Sequence, residues 1–372
     1  MRGLSCVLAF QKMQIPPKKI LLNELRPTFD GLPIRSPRFF TMTFQNIGII
    51  GAGSWGTALA FPLLANDLPV LIWGHNAEHI AQVTETRENT GYLPGVALPK
   101  ALRFTADLDD LRECDLILLT PPSKAIREVS ARLSTIDLRP ETVLLCCTKG
   151  VERGSSLRMS QVVSESLPDQ PIGVLSGPSH AEEVARQKPT ALVVGALEMA
   201  LAKRIQVAFA NRFFRVYMSD DLPGIELGGA LKNIFALAAG VSDGLGLGDN
   251  AKAALVTRAL GELSRIGEAM GGKAATFQGL SGLGDLMVTC FSRHSRNRAV
   301  GERLGRGERL ADIVGSMTMV AEGVPTTYSA HEFAVREKIR APIIGQIRAL
   351  LDGGISASEA MNNLMSRELG GE

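Results

Sequence analysis

The chain has 372 residues, 45% of them apolar, which is more than one hydrophobic core usually serves, so two domains and an appendage are expected. Lysine and arginine number 40 against 38 acidic residues, and a formal charge of only +2 excludes nucleic acid held by a broad electrostatic surface; any anion site must be local. The five cysteines (Cys6, Cys114, Cys146, Cys147 and Cys290) are odd in number and form no CxxC pair or Cys/His cluster, which gives no zinc or other metal site and fits a reducing compartment.

Residues 1–45 read as an N-terminal extension: seven basic residues (Arg2, Lys12, Lys18, Lys19, Arg26, Arg35 and Arg38) stand against Glu24 and Asp30, and periodicity is poor. The bias fits an organelle transit peptide, although prolines break it, and it fits equally a start set too early, with Met42 as the true one. From Asn46, short β-branched runs alternate with helical stretches, the pattern of βαβ units on a parallel sheet. NIGIIG (46–51) predicts a buried first strand and residues 54–66 a helix; PVLIWG (69–74) predicts a second strand and residues 76–88 a second helix. DLILLT (115–120), TVLLCCTKG (142–150), PIGVLSGPS (171–179), TALVVG (190–195) and RVYMS (215–219) carry the sheet to about residue 219. Cys146 and Cys147, adjacent in one such run, read as small buried hydrophobes rather than a redox pair.

From Leu222 onward, alanine, leucine, glutamate and arginine recur at spacings of three and four, which predicts an all-α domain over 220–372 after a Rossmann-like domain over 46–219. No uninterrupted apolar run approaches the roughly 20 residues of a membrane-crossing helix, so a soluble protein without a membrane span is expected. The cleft where the two domains meet is the expected ligand site.

Gly51, Gly53 and Gly56 form GAGSWG, a GxGxxG between an apolar strand and a helix. The first glycine permits the tight turn, the second admits a pyrophosphate to the backbone, and the third lets helix and strand pack closely, with the helix N-terminus facing the negative charge. A merely structural turn is the alternative in a chain with 38 glycines. About 20 residues on, where NAD-selective proteins carry an acidic residue, the second strand ends in Trp73, Gly74 and His75. With no carboxylate to repel a 2′-phosphate and an imidazole able to sit beside one, NADP is tolerated or preferred over NAD; an ordinary solvated His75 is the other reading.

In IELGGALKNIFALAAGVSDGLGLGDNAKAALVTR (225–258), a helix would set Gly228 and Gly229 one turn before Lys232, beside a surface open to close approach. Held among Leu231, Ile234, Phe235 and Leu237, the Lys232 ammonium would be partly desolvated and its pKa drawn toward the range useful in proton transfer; the plainer alternative is an apolar stem with its ammonium in water. Three clusters can meet this lysine. Lys149 and Gly150 follow a strand at the carboxyl edge of the sheet; Gly177 and Ser179 stand at a turn expected to open a helix; and Asp285 precedes a run holding Arg293, His294, Ser295, Arg296, Asn297 and Arg298, which is either a solvated face or a phosphate site. A hydride acceptor, a lysine for protons and a small phosphate site together describe a dehydrogenase of phosphorylated alcohols.

GAGSWGTALA, the TKG turn, SGPSHAEEVA, ELGGALKNIFALAAGVSDGLGLGDNAKAAL, GLSGLGDLMVTC with SRNR, and AEGVPT occur in consistent order over residues 46–326, and through them the chain resembles the bacterial-type NAD(P)-dependent glycerol-3-phosphate dehydrogenases. The resemblance implies a Rossmann-like domain followed by a helical one, and interconversion of glycerol 3-phosphate and dihydroxyacetone phosphate in the cytoplasm, by a homodimer that supplies phospholipid synthesis. It implies that Lys232 is the proton acceptor and that Lys149 lies near both cofactor and substrate. Gly177, Ser179, Asp285, Ser295, Arg296 and Asn297 match the substrate set, and Ser54, Trp55, His75, Ala181, Arg296, Val320 and Glu322 match cofactor-contacting positions. Many relatives carry arginine where this chain has His75. The alternatives are a hydroxyacid or 6-phosphogluconate-type dehydrogenase of the same plan, or a dinucleotide-sensing regulator that turns nothing over.

Overall fold

Strands covered on both faces read as unbroken apolar runs, and the strands Ile47–Ile50, Leu116–Leu119 and Val143–Cys146 are buried in that way. The computed structural model describes residues 43–317 and 319–367; Cys6, Met42 and all but the last three residues of the expected extension lie outside the described residues. Eight strands, β1 (Ile47–Ile50), β2 (Val70–Trp73), β3 (Arg103–Thr105), β4 (Leu116–Leu119), β5 (Val143–Cys146), β6 (Ile172–Ser176), β7 (Thr190–Gly195) and β8 (Phe214–Ser219), form one sheet in the order β3-β2-β1-β4-β5-β6-β7-β8. Central β1 pairs in parallel with β2 and with β4, so that Ile49 lies between Ile72 and Leu118. The chain leaves these two central strands in opposite directions, which opens a crevice at their carboxyl ends. Phe44 is already buried beneath the Arg204 guanidinium, and the Gln45 and Asn46 amides donate to the Asp115 carboxylate at 2.8 and 3.0 Å, so the residues just ahead of β1 are held against the sheet.

The sheet departs from the all-parallel expectation at one junction. β7 runs antiparallel to β6, with Leu175 opposite Val194, and β8 is parallel to β7. The cause is the connection. Between β6 and β7 the only helix is α5, the five-residue Ala181–Ala185, about 8 Å long. A connection with so little helix suits an antiparallel return, whereas parallel strands are usually joined through a longer crossover helix. The other crossovers have room: α1 (Ser54–Leu64), α2 (Ala77–Thr86), α3 (Ile126–Leu133), α4 (Met159–Ser166) and, between β7 and β8, α6 (Met199–Phe209).

Past β8 the described residues hold helices and no strand: α7 (Leu222–Gly244), α8 (Gly248–Ala269), α9 (Ala274–Phe277), α10 (Asp285–Phe291), α11 (Arg296–Gly305), α12 (Leu310–Gly315), α13 (Gly323–Arg336), α14 (Pro342–Leu351) and α15 (Ala357–Met365). Asp221 starts α7 by accepting from the Gly224 amide at 3.0 Å, with Pro223 in the first turn where no amide is needed. α7 packs on β6 and β7 on one side and on α8, α10, α11 and α13 on the other. With 23 residues and a mean hydropathy of 1.2 it has the length and composition to cross a membrane, yet its whole apolar window is buried inside the protein; it is the axis of the second core. A Cβ on Gly240 would lie 2.0 Å from the Arg298 carbonyl, and one on Gly301 2.0 Å from that of Leu237. The backbones of α7 and α11 therefore touch, which fixes the start of α11 against the helix of Lys232. Cys114, Cys146, Cys147 and Cys290 are buried and free, and burial pushes the Cys146 and Cys147 thiols well up, as inert core residues.

Candidate active site

At the end of β1 the glycine turn has the shape its sequence asks for. Gly51 has a φ of +115°, and a Cβ there would meet Thr120 Oγ1 at 2.7 Å; one on Gly56 would fall 2.0 Å from the Gly51 carbonyl. At Gly53, by contrast, a Cβ would meet nothing within 4 Å, so the backbone is open to a ligand at the position where a pyrophosphate must approach. α1 begins there without a side-chain cap and without an acidic residue in its first turn, which leaves its positive end to an anion. The residues present thus fit a dinucleotide. Ser54 is buried at the first helical position, and Trp55 next to it donates its indole N–H to the Cys147 carbonyl at 3.2 Å, tying the turn to the end of β5. His75 is exposed just past β2, and Ala181 is buried at the start of α5, which packs on α1.

The chemistry lies where β5 and α7 approach α10. Asp285 is 1% exposed and bridges two lysines: Oδ1 accepts from Lys232 Nζ at 2.8 Å and Oδ2 from Lys149 Nζ at 2.5 Å. Lys149 also donates to the Gly177 carbonyl at 2.9 Å, and Ser179 Oγ donates to the same oxygen at 2.9 Å. Gly177 holds this position with a φ of +136°, with Leu192 filling the space where a Cβ would sit. Thr289, one turn after Asp285, donates its hydroxyl to the Asp285 carbonyl at 2.6 Å and so presents its oxygen to Lys232 Nζ, also at 2.6 Å. Lys232 is 6% exposed; burial first, with the charge of Lys149, brings its pKa down to about 8 against the opposing pull of Asp285. Burial would raise the Asp285 carboxyl, but the two ammoniums and their hydrogen bonds outweigh it and hold it below its usual range. Two cations on one anion leave a surplus positive charge in a nearly dry place, where it can stabilise oxygen that gains negative charge.

A wider, five-residue helical turn at Leu280–Gly284 delivers Asp285 to this spot. It also answers a point of the sequence. The bare surface at Gly228 and Gly229 is taken up by protein and not by a ligand: a Cβ on Gly228 would fall 2.7 Å from the Ser281 carbonyl, and one on Gly229 2.2 Å from Ser176 Oγ.

The basic run after α10 divides into separate tasks. Ser295 caps α11, its Oγ accepting from the Arg298 amide at 3.1 Å. Arg298 turns away to Asp243, with Nε 2.6 Å from Oδ2, where Lys252 also pairs at 2.6 Å. The Asn297 amide is held at both ends, its Nδ2 donating to Asn233 Oδ1 at 2.9 Å and its Oδ1 accepting from the Gly323 amide at 2.8 Å. Arg296 stays open to solvent in a recess between Glu182 and Glu322, and Arg293 is exposed. Glu322 closes the far side: its carboxylate accepts from the Ser123 amide at 2.9 Å and from Ser123 Oγ at 2.5 Å, and burial raises its pKa; Val320 lies half-buried two residues before it. The structure brings Lys149, Gly177, Ser179, Lys232 and Asp285 into one bonded cluster. Thr289, signalled only by its i+4 spacing from Asp285, and the Glu322–Ser123 bridge, for which the sequence carries no signal, are added by the structure.

A glycine turn open to a pyrophosphate, joined through Trp55 and Cys147 to two lysines on one buried carboxylate, is the working arrangement of a nicotinamide-dependent dehydrogenase. Residues 46–202 match the model of the NAD-dependent glycerol-3-phosphate dehydrogenase N-terminus, and residues 221–362 that of its C-terminus. The chain is 47% identical over 325 residues to a glycerol-3-phosphate dehydrogenase [NAD(P)+] of Bacillus mycoides, covering 86% of this chain and 95% of that protein. Its fold is similar to crystallographically solved glycerol-3-phosphate dehydrogenase of Coxiella burnetii, with a TM-score of 0.83 and 37% identity over 87% of this chain and 99% of the other. The enzyme of Saccharomyces cerevisiae aligns with a TM-score of 0.73 and 25% identity over 86% of this chain and 99% of the other. The chain belongs to the NAD-dependent glycerol-3-phosphate dehydrogenase family.

Proposed function

We propose that this protein interconverts glycerol 3-phosphate and dihydroxyacetone phosphate with NADP or NAD, and that Lys232 moves the proton at the C2 oxygen. The observation that carries the reading is the sharing of buried Asp285 by Lys232 and Lys149. Gly51, Gly53, Ser54, Trp55 and Gly56 would hold the pyrophosphate end of the cofactor, His75 its adenosine ribose, and Lys149, Ala181, Arg296, Val320 and Glu322 the remainder. When bound, the nicotinamide supplies the hydride acceptor for oxidation and the hydride donor for reduction. With its pKa near 8, Lys232 is mostly protonated at neutral pH and gives its proton to the C2 oxygen of the ketone; above that pH it is ready to take one from the C2 hydroxyl. Lys149, on the other oxygen of Asp285, adds positive charge where the C2 oxygen becomes an alkoxide.

On this reading the phosphate lies at the start of α11, against the open Arg296 and the amides that follow the Ser295 cap, with Gly177 and Ser179 on the opposite wall. Asn297 contributes its backbone, with its side chain tied to Asn233 and Gly323. The enzyme acts as a homodimer in the cytoplasm and supplies glycerol 3-phosphate to phospholipid synthesis. A regulator that only senses the dinucleotide would have no use for two ammoniums held on one buried carboxylate. The deciding experiment follows loss of NADPH and of NADH on addition of dihydroxyacetone phosphate; no turnover with either cofactor overturns the reading. A panel of hydroxyacids and 6-phosphogluconate, on which no activity is expected, separates it from other dehydrogenases of this plan.

A further inference from the structure

Two histidines outside these assignments join the walls of the site. His180 directly follows Ser179 on the sheet side, and His294 directly precedes Ser295 on the helical side. Their rings lie 5.7 Å apart, tilted by 52°. His180 Nε2 is buried and has no hydrogen-bond partner. A histidine kept for packing alone has its ring nitrogens satisfied, because an orphaned buried nitrogen costs the free energy of its lost hydration. This nitrogen is left for something that the ligand brings. Resting on the assignment of a phosphorylated triose to this site, we propose that His180, steadied by His294, is a further ligand of the substrate's phosphate and takes up a proton when the dianion binds.

The charges around the ring set the direction. Lys232 of α7 and Lys149 after β5 face it with positive charge; Asp285 of α10 and Glu182 of its own helix face it with negative charge; His294 meets it from the turn before α11. Burial, with the two ammoniums, holds the imidazole below its ordinary value, so it is neutral at pH 7 before substrate arrives. The four formal charges cancel, and a phosphate of nearly two negative charges tips the balance toward the imidazolium. The second phosphate pKa is about 6, so between about pH 6.5 and 7.5 the ligand is chiefly dianionic while free His180 is chiefly neutral, and binding must draw a proton from solvent.

The test is calorimetry of glycerol 3-phosphate binding to the NADPH-loaded enzyme near pH 7, repeated in buffers of different ionisation enthalpy. Lys232 is already charged there and contributes little. Wild-type protein is expected to take up roughly half a proton per site or more, and His180→Gln close to none. The same variant is expected to raise the KM for dihydroxyacetone phosphate about tenfold or more, as for loss of a hydrogen bond to a charged group. Should His180→Gln fold poorly, imidazole NMR of the wild-type protein decides: the His180 midpoint is expected to rise by about one pH unit or more on saturation with ligand. Binding and turnover without proton uptake, uptake that survives in His180→Gln, or an unmoved NMR midpoint each overturn the proposal alone. Wild-type protein that neither binds glycerol 3-phosphate nor reduces dihydroxyacetone phosphate overturns the substrate assignment, and the proposal with it.

Discussion

Lys232 Nζ lies 2.8 Å from Asp285 Oδ1 in a place where neither residue is more than 6% exposed, and even with this partner its pKa falls to about 8. The carboxylate therefore anchors the ammonium without fixing its proton. It can do so because its other oxygen is engaged by Lys149, so its charge is divided between two cations.

Lys232→Met keeps the stem's volume and removes the ammonium, while Asp285 keeps Lys149 and is not stranded. Dihydroxyacetone phosphate reduction is expected to fall about 10²- to 10⁴-fold in kcat, the range of a lost general acid, with a thermal melt close to that of the wild type. Turnover near the wild-type rate removes Lys232 from proton transfer.

The pH dependence of the bound state has a definite sign. Reduction needs charged Lys232, so kcat for dihydroxyacetone phosphate is expected to be level between about pH 6.5 and 7 and to fall above 8; kcat for oxidation of glycerol 3-phosphate needs the neutral amine and rises through the same range. Asp285 is the charge that holds the Lys232 value up, so Asp285→Asn is expected to move both midpoints to lower pH. That variant also leaves two crowded ammoniums uncompensated, and denaturant titration should show a loss of about 3–5 kcal/mol. A midpoint that moves upward contradicts the charge assignment.

The strands were legible because burial on both faces leaves an unbroken apolar run, as in DLILLT; the three-residue edge strand β3 has no such run and was not. Apolar pattern carries no direction, so the antiparallel return of β7 followed only from the shortness of α5. The glycine turn was legible because its three glycines answer three separate steric demands within six residues. The lysine cluster was legible only in outline, since Lys149 and Asp285 meet from 136 residues apart; the sequence offers them as groups able to meet Lys232, and only the folded chain shows that Lys149 and Lys232 share the Asp285 carboxylate. Nor does spacing separate Arg298, turned to Asp243, from Arg296, left open two residues earlier.

His75 is exposed at the end of β2, where the adenosine ribose of a dinucleotide on the glycine turn would lie. In His75→Asp the new carboxylate would repel a 2′-phosphate and accept from an unmodified ribose. Efficiency with NADPH is expected to drop at least about tenfold while that with NADH holds or improves, and the melting temperature should not move, because the side chain touches no core. Equal losses with both cofactors would place His75 away from the ribose.

The two arginines of the SRNR run give a paired prediction, since they differ in where they spend their charge. Arg298 pairs with Asp243, which also holds Lys252, and this network ties α11 to α7 and α8; Arg298→Ala leaves Asp243 with one partner fewer and is expected to cost about 1–3 kcal/mol in denaturant titration. Arg296 opens to solvent and holds up nothing in the core, so Arg296→Ala should melt like the wild type. Its loss should appear in function, as a KM for glycerol 3-phosphate raised about tenfold to a hundredfold with a smaller change in kcat, because a contact to phosphate acts in the ground state as well as the transition state. The reverse pattern, with Arg296→Ala unstable and its KM unchanged, would take the phosphate away from the start of α11.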